Sequence, residues 1–289
     1  MTEDCKLIGV TMGCPVGIGP EIILKFFAAN PSNRHYQPVV LGDAGVLRHA
    51  AETIGLAATI IAWEPGQPIK PGTIPVCNLS ALDVAELHWG RPDKRTGKAM
   101  ARYIEEGVRL IQAGILEGIT TCPIIKKTLN LAGYNYPGHT EMLAQLSGAD
   151  EYLMMLTGTR LRVSLVTIHE PISRVPQLLT RDRLMSTIRI TARALQVDFG
   201  LDHPRIAVAA LNPHGGEQGM FGSEEEDIIE PTIRSCTGGY TVSGPWPPDT
   251  VFYRAAQGEF DAVIAMYHDQ GLIPFKLLHF KDGVNVTLG

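Results

Sequence analysis

The chain is 289 residues long, 45% hydrophobic and 19% charged, with a formal net charge of −5. That length suffices for a large core or for two lobes around a cleft, and the composition is that of a soluble globular protein. The acid excess and the lack of a basic block argue against nucleic acid as a partner. No apolar run is long enough for a membrane-spanning helix and the early acids of MTEDCKLIGVTMG do not make a secretory signal, so a cytoplasmic location is the expectation.

Strand-like and helix-like segments alternate along the chain. Lys6 to Met12 reads as the first strand, and Gly19 to Ala29 as a helix with Pro20 in its first turn, where a missing N–H costs nothing. Pro38 to Gly42 is strand-like, and Asp43 is placed to cap a helix over 44–55. Ala58 to Trp63 and Thr73 to Leu79 are two more short strands. From Gly97 onward Met100, Ile104, Val108, Ile111 and Ile115 recur at helical spacing. Ile119 to Ile124 is strand-like and Glu141 to Leu146 helical. Arg181 to Phe199 reads as a long amphipathic helix stopped by Gly200. Ser223 with the acids that follow it reads as a capping box opening a helix towards Cys236, and Val284 to Gly289 reads as a last strand. Repeated strand–helix units predict an α/β protein with a mostly parallel sheet covered on both faces, organised over 1–289 as one two-lobed catalytic unit. The five cysteines, Cys5, Cys14, Cys77, Cys122 and Cys236, are scattered without a CxxC pair, against both a disulfide framework and a thiolate zinc site.

Three of the apolar runs end in histidine: Leu161 to His169, Arg205 to His214 and Asp261 to His268. Each has the composition and length of a buried strand. In an open α/β sheet ligands bind beyond the carboxyl ends of the strands, so three imidazoles there could converge on one metal ion. Three protein ligands with one free position make a catalytic site; ordinary loop histidines are the alternative. The Gly-rich turn TMGCPVGIGPEI has its glycines at 13, 17 and 19, not in the dinucleotide fingerprint, and is either a ligand loop or a tight turn. The segment Tyr136 to Glu141 sets His139 and Thr140 before a helix. Either Thr140 caps that helix, or imidazole, hydroxyl and free helix amides together bind a phosphate or carboxylate. Asn212 to Glu226 is a glycine-rich segment after a strand, the mark of an ordered binding loop. Asp269 beside His268 is an orienting partner or a further ligand. Lys276, in an otherwise apolar segment, either reaches solvent along its stem or binds an anion.

The segments TMGCPVGIGPEI, NYPGHTE, LNPHGGEQGMFGSEE, GPWPPDTVF, AMYHDQGLIPFK and DGVNVTLG, in this order, resemble the 4-hydroxythreonine-4-phosphate dehydrogenase family of vitamin B6 biosynthesis over essentially the whole chain. The resemblance implies an isocitrate/isopropylmalate-dehydrogenase-like fold, two lobes with a cleft between them, and a homodimer with active sites at its interface. It implies a divalent ion (zinc, magnesium, manganese or cobalt) held by His169, His214 and His268, the last reaching in from the partner subunit. Substrate contacts are implied at His139, Thr140, Lys276 and Asn285, with NAD or NADP as oxidant. The expected chemistry is oxidation of a hydroxyl acidified by the ion, with hydride passing to the nicotinamide, then loss of CO₂ from the β-keto acid. Lys126, Asp249 and Asp269 are the candidates for the base. The expected substrate is a phosphorylated four-carbon hydroxy acid: 4-hydroxythreonine 4-phosphate, or D-threonate or D-erythronate 4-phosphate as in relatives of sugar-acid catabolism. The chain departs from the family in having Gly13-Cys14-Pro15 for the usual Gly-Asp-Pro. The family also continues beyond the position of Gly289, with an Arg that contacts substrate and an Asp-His-Gly segment near the nucleotide. A three-histidine metallohydrolase and a non-catalytic phosphometabolite-binding protein are the rivals from other classes.

Overall fold

The computed structural model describes residues 6–30 and 36–289; Cys5 lies outside the described residues. Two compact units divide the chain, 1–148 and 149–289, each with its own sheet and its own core.

In the first unit β1 (Lys6–Thr11), α1 (Gly19–Ala29), β2 (Tyr36–Gly42), α2 (Ala44–Thr53), β3 (Ile60–Ala62), β4 (Ile74–Asn78), α3 (Lys94–Gln112) and β5 (Gly118–Thr121) alternate. The helices α4 (Lys126–Leu131) and α5 (His139–Ser147) follow. All five strands are parallel, in the order β3-β4-β2-β1-β5. Central β2 buries Val39, Val40 and Leu41 completely, the near-continuous apolar run of a strand covered on both faces. Asp43 caps α2 as predicted, accepting from the amides of Gly45 and Val46 at 2.9 and 3.1 Å. Its other oxygen accepts from the Ser80 hydroxyl and the Leu82 amide, which ties the chain after β4 to the start of α2. The long helix α3 begins at Lys94, three residues before the predicted Gly97, because Asp93 and Thr96 form a reciprocal capping box. Thr rather than the usual Glu or Gln fills the last place of that box, which hides it in the sequence. Met100, Ile104 and Val108 face the core as predicted, each worth about 1.5–3 kcal/mol of burial.

The second unit runs β6 (Leu153–Thr157), β7 (Arg162–Leu165), α6 (Val175–Leu178), α7 (Arg181–Val197), β8 (Arg205–Ala209), α8 (Glu230–Arg234), β9 (Thr241–Trp246), α9 (Pro248–Ala256), β10 (Ala262–Ala265), α10 (His268–His279) and β11 (Val284–Leu288). The sheet order is β11-β6-β7-β10-β8-β9. The strands β7, β10, β8 and β9 are parallel, while β6 is antiparallel to both β7 and β11. The fold class is α/β with mostly parallel strands, as predicted, but in two sheets rather than one. The reversal at the β6–β7 hairpin starts the second sheet. The capping box expected at Ser223 does not form. That helix has no side-chain cap, residues Glu225–Ile229 are wound as a π-helix that runs into α8, and Glu225 is engaged elsewhere.

A close-packed joint fixes the end of α10. The buried His279 ring accepts from the Arg160 amide at 3.3 Å and its Nδ1 pairs with Asp282 Oδ2 at 3.0 Å. Gly158, in the β6–β7 turn, lies so near this ring that a Cβ would collide with it. Gly158→Ala is expected to destabilise the protein by about 1–3 kcal/mol, the usual cost of overpacking. Gly118→Ala, where an added Cβ has its nearest neighbour at 4.0 Å, is expected to leave thermal unfolding near wild type. A Gly158→Ala protein that melts with wild type would contradict the packing described.

Candidate active site

The parallel neighbours β7, β10 and β8 end at one edge of the second sheet, and the three histidines follow them. His169 lies four residues past β7, His214 five past β8, and His268 opens α10 three residues past β10. The pairing of β7 with β10 continues beyond the regular strands. The Val166 amide donates to the Ala265 carbonyl at 2.9 Å, and both the amide and the hydroxyl of Thr167 donate to the Met266 carbonyl, at 3.2 and 2.7 Å. This zipper brings the His169 and His268 rings to 5.7 Å between centroids. Two imidazoles on one tetrahedral ion sit roughly 5 Å apart at their ring centres, given Zn–N bonds of ~2.0–2.1 Å. The His268 Nδ1 is bonded to Asp269 Oδ1 at 2.7 Å. A neutral ring that donates from Nδ1 keeps the Nε2 lone pair for a ligand, which is the usual carboxylate–histidine support of a metal site. Asp269 therefore orients an imidazole.

Gln270, which the sequence reading passed over, joins the next strand. Its Oε1 accepts from the Met266 amide and its Nε2 donates to the Ala210 carbonyl, both at 2.7 Å, so the ends of β10 and β8 are held together by one buried amide. Beyond Ala210 the chain enters the loop of His214. Here His214, Glu217 and Gln218 have φ of 54°, 43° and 56°, left-handed values that cost a non-glycine residue about 1–3 kcal/mol. The His214 ring is 6.5 Å from that of Phe221. The chain pairs the rings of His169 and His268, whereas the expectation had been His169 with His214. Among the described residues of one chain, no three His, Cys, Asp or Glu side chains gather into a metal cage.

The first unit carries the other cluster. Helix α5 opens at His139 with Gly138 as its N-cap, and no side chain caps it. Thr140 is thus inside the first turn rather than the cap, since the chain is already helical at His139. The His139 Nε2 is buried with no hydrogen-bond partner. Its imidazole titrates below the ordinary range because burial disfavours the cation; the positive charge of Lys126 acts in the same sense, and a hydrogen bond to the Cys122 backbone opposes both. The unfolded chain binds more protons between the depressed value and the ordinary 6.5, so stability from this residue is lost as pH falls through that window. Lys126 and the uncapped helix amides are donors that fit an anion, and the orphaned Nε2 of the neutral ring is an acceptor for a hydroxyl. The Gly-rich turn leading into α1 is accounted for by packing at two positions: Gly13 has φ +66°, and a Cβ at Gly19 would strike the Met12 carbonyl.

Asp249 is exposed in the first turn of α9, Lys276 is exposed on α10, and Asn285 is exposed on β11 opposite Leu156. Lys276 shares α10 with the buried Leu272, Phe275 and His279 and with the exposed Ile273 and Leu277, and the exposed Phe280 follows at its C-cap. Lys126 opens α4.

Residues 34–289 match the family described as pyridoxal phosphate biosynthetic protein PdxA. A 4-hydroxythreonine-4-phosphate dehydrogenase of Desulfosudis oleivorans is 50% identical over 287 residues, spanning 98% of this chain and 85% of that protein. A Symbiobacterium thermophilum protein provisionally named D-threonate 4-phosphate dehydrogenase is 39% identical, spanning 98% of this chain and 85% of its own. A crystal structure of 4-hydroxythreonine-4-phosphate dehydrogenase from Klebsiella pneumoniae matches with a TM-score of 0.90 at 39% identity, covering 98% of this chain and 88% of that one. In sequence and in fold, over nearly all its length, the chain belongs to the PdxA family of pyridoxal phosphate biosynthetic proteins.

Proposed function

We propose that the chain is a metal-dependent, NAD(P)-linked dehydrogenase that oxidises the hydroxyl of 4-hydroxythreonine 4-phosphate, with decarboxylation of the product, in pyridoxal phosphate biosynthesis. The observation that carries the metal part is the pair His169 and His268, spaced as two ligands of one ion with Asp269 behind the second. His214 is the proposed third ligand. A divalent ion at this site supplies acidity to the substrate hydroxyl and a nicotinamide supplies the hydride acceptor. The chain's own residues bind and orient. His139, Thr140, Lys276 and Asn285 are the proposed substrate contacts; of these, His139 offers a buried ring nitrogen without a partner. Lys126, beside His139, and Asp249 are left as the candidates for taking the hydroxyl proton, because Asp269 is committed to His268. The D-threonate and D-erythronate 4-phosphates are the alternative substrates; the 39% identity to the Symbiobacterium protein, against 50% to the Desulfosudis one, ranks them second.

Helix α10 favours a homodimer. Ile273, Leu277 and Phe280 lie along one stripe at i, i+4 and i+7 and are 67%, 85% and 80% exposed. An apolar stripe of this kind on the surface marks an interface, and we assign a second copy of the chain to it. His268 opens the same helix, and the shared-site reading has it serve the partner's ion rather than the one beside its own His169. A second reading, favoured by the 5.7 Å spacing of His169 and His268, draws all three imidazoles from one chain.

Nicotinamide reduction should be followed with NAD⁺ and NADP⁺ against the three phosphorylated acids, on metal-stripped and metal-restored protein. Turnover is expected only with metal and should be fastest with 4-hydroxythreonine 4-phosphate. Metal-dependent turnover that reduces no nicotinamide would instead make the protein a hydrolase. The dimer is tested by mixing inactive His169→Ala and His268→Ala proteins under subunit exchange. A site shared across the dimer should recover up to about a quarter of wild-type activity, half the dimers being mixed with one intact site of two. No recovery despite exchange would assign the three ligands to one chain.

A further inference from the structure

Glu225 is a buried acid that nothing above uses. It is 2% exposed and lies in the π-helical turn rather than on a solvated helix face. Its Oε1 accepts from the amides of Leu211 and Asn212, at 2.8 Å each, and its Oε2 accepts from Asn212 Nδ2 at 2.9 Å. Leu211 and Asn212 are the residues that lead from the end of β8 into Pro213 and His214. Glu224 accepts from the same Asn212 nitrogen at 2.8 Å. The glycines of the loop are fitted around these carboxylates. A Cβ at Gly216 would lie 2.7 Å from Glu225 Oε2, and one at Gly222 would run into Glu224 and the Asn212 amide. The loop is thus bonded to this carboxylate just before His214, at residues 211 and 212, and Gly216 packs against it just after, with the left-handed His214 in between. A π-helical turn of this kind is rare and recurs at functional sites; here it turns Glu225 towards the loop.

We propose that Glu225 is the positioning residue that holds His214 in its left-handed conformation and so presents the imidazole to the divalent ion. Glu225 acts through the backbone of 211–212 and through Asn212, without touching ion or substrate. The inference rests on the metal reading above. A carboxylate suits the place because three N–H donors converge on it and it has only acceptors to offer. Glutamine has nearly the same shape but sets a donor against one of those donors.

The test is a Co²⁺ titration of the metal-stripped chain, read by the visible absorption of the bound ion, with thermal unfolding of the metal-free protein measured alongside. Wild type, Glu225→Gln and His214→Ala are compared. Glu225→Gln is expected to bind Co²⁺ about 10–100-fold more weakly, the range seen when a supporting partner of a ligand is lost, with a changed absorption spectrum, and its metal-free form, short of one buried hydrogen bond, is expected to unfold cooperatively only a few degrees below wild type. A lowered melting temperature with unchanged Co²⁺ affinity is the behaviour of a merely structural residue and overturns the proposal. If His214→Ala loses Co²⁺ binding and Glu225→Gln keeps it, the positioning role alone fails. If His214→Ala also binds as wild type, the metal reading fails and the inference falls with it. Should Glu225→Gln not fold, Asn212→Ala removes the side-chain donor that Glu225 shares with Glu224 and leaves the two backbone donors in place; weaker Co²⁺ binding is expected, and unchanged binding overturns the proposal.

Discussion

Everything at the candidate site depends on three parallel strands, β7, β10 and β8, ending at one edge of the second sheet. Parallel order alone would deliver three loops to that edge without fixing them. The fixing is done by polar groups just past the strand ends. Thr167 spends two donors on the Met266 carbonyl, and Gln270 bridges the Met266 amide to the Ala210 carbonyl. These bonds are buried, where an unmade bond costs about 1–3 kcal/mol, so slippage of one strand end past its neighbour is strongly opposed. His169 and His268 are carried into contact as a consequence.

The third histidine is held differently. Its left-handed backbone is unfavourable by about 1–3 kcal/mol, and a free loop would relax away from it. Hydrogen bonds to a charged acceptor contribute about 1.5–3 kcal/mol each, and Glu225 makes three of them to residues 211 and 212, just ahead of His214. The carboxylate therefore outweighs the strain. In the first unit the electrostatics have the opposite character. Burial and Lys126 keep His139 neutral further down in pH than an exposed histidine. Burial also holds the thiol of Cys14 above its ordinary range.

Much of this was legible in the sequence, and the reasons differ from segment to segment. The buried strands and the cap of α2 announce themselves by apolar runs and by Asp43. The histidines could be placed at strand ends because β7, β8 and β10 are nearly pure apolar segments bounded by polar residues. Helix α10 was not legible: Gly271 and Pro274 interrupt it, and its inward and outward faces are both apolar, so no helical period stands out. The strand β9 carries Gly244 and Pro245 and shows no alternation. Glu225 was misread because Ser223 and three acids imitate a capping box, while its real partners are the amides of residues 211 and 212, made adjacent only by the fold. Gln270 was invisible for the same reason.

The proposed chemistry requires one divalent ion bound by imidazoles at this sheet edge. X-ray absorption at the zinc edge of the Zn²⁺-loaded protein measures that shell directly. Three imidazole nitrogens at ~2.0–2.1 Å are expected, with one light-atom ligand in the fourth position, falling to two imidazoles in His214→Ala. A shell containing sulfur at ~2.3 Å, or one of oxygens without imidazole scattering, would contradict it.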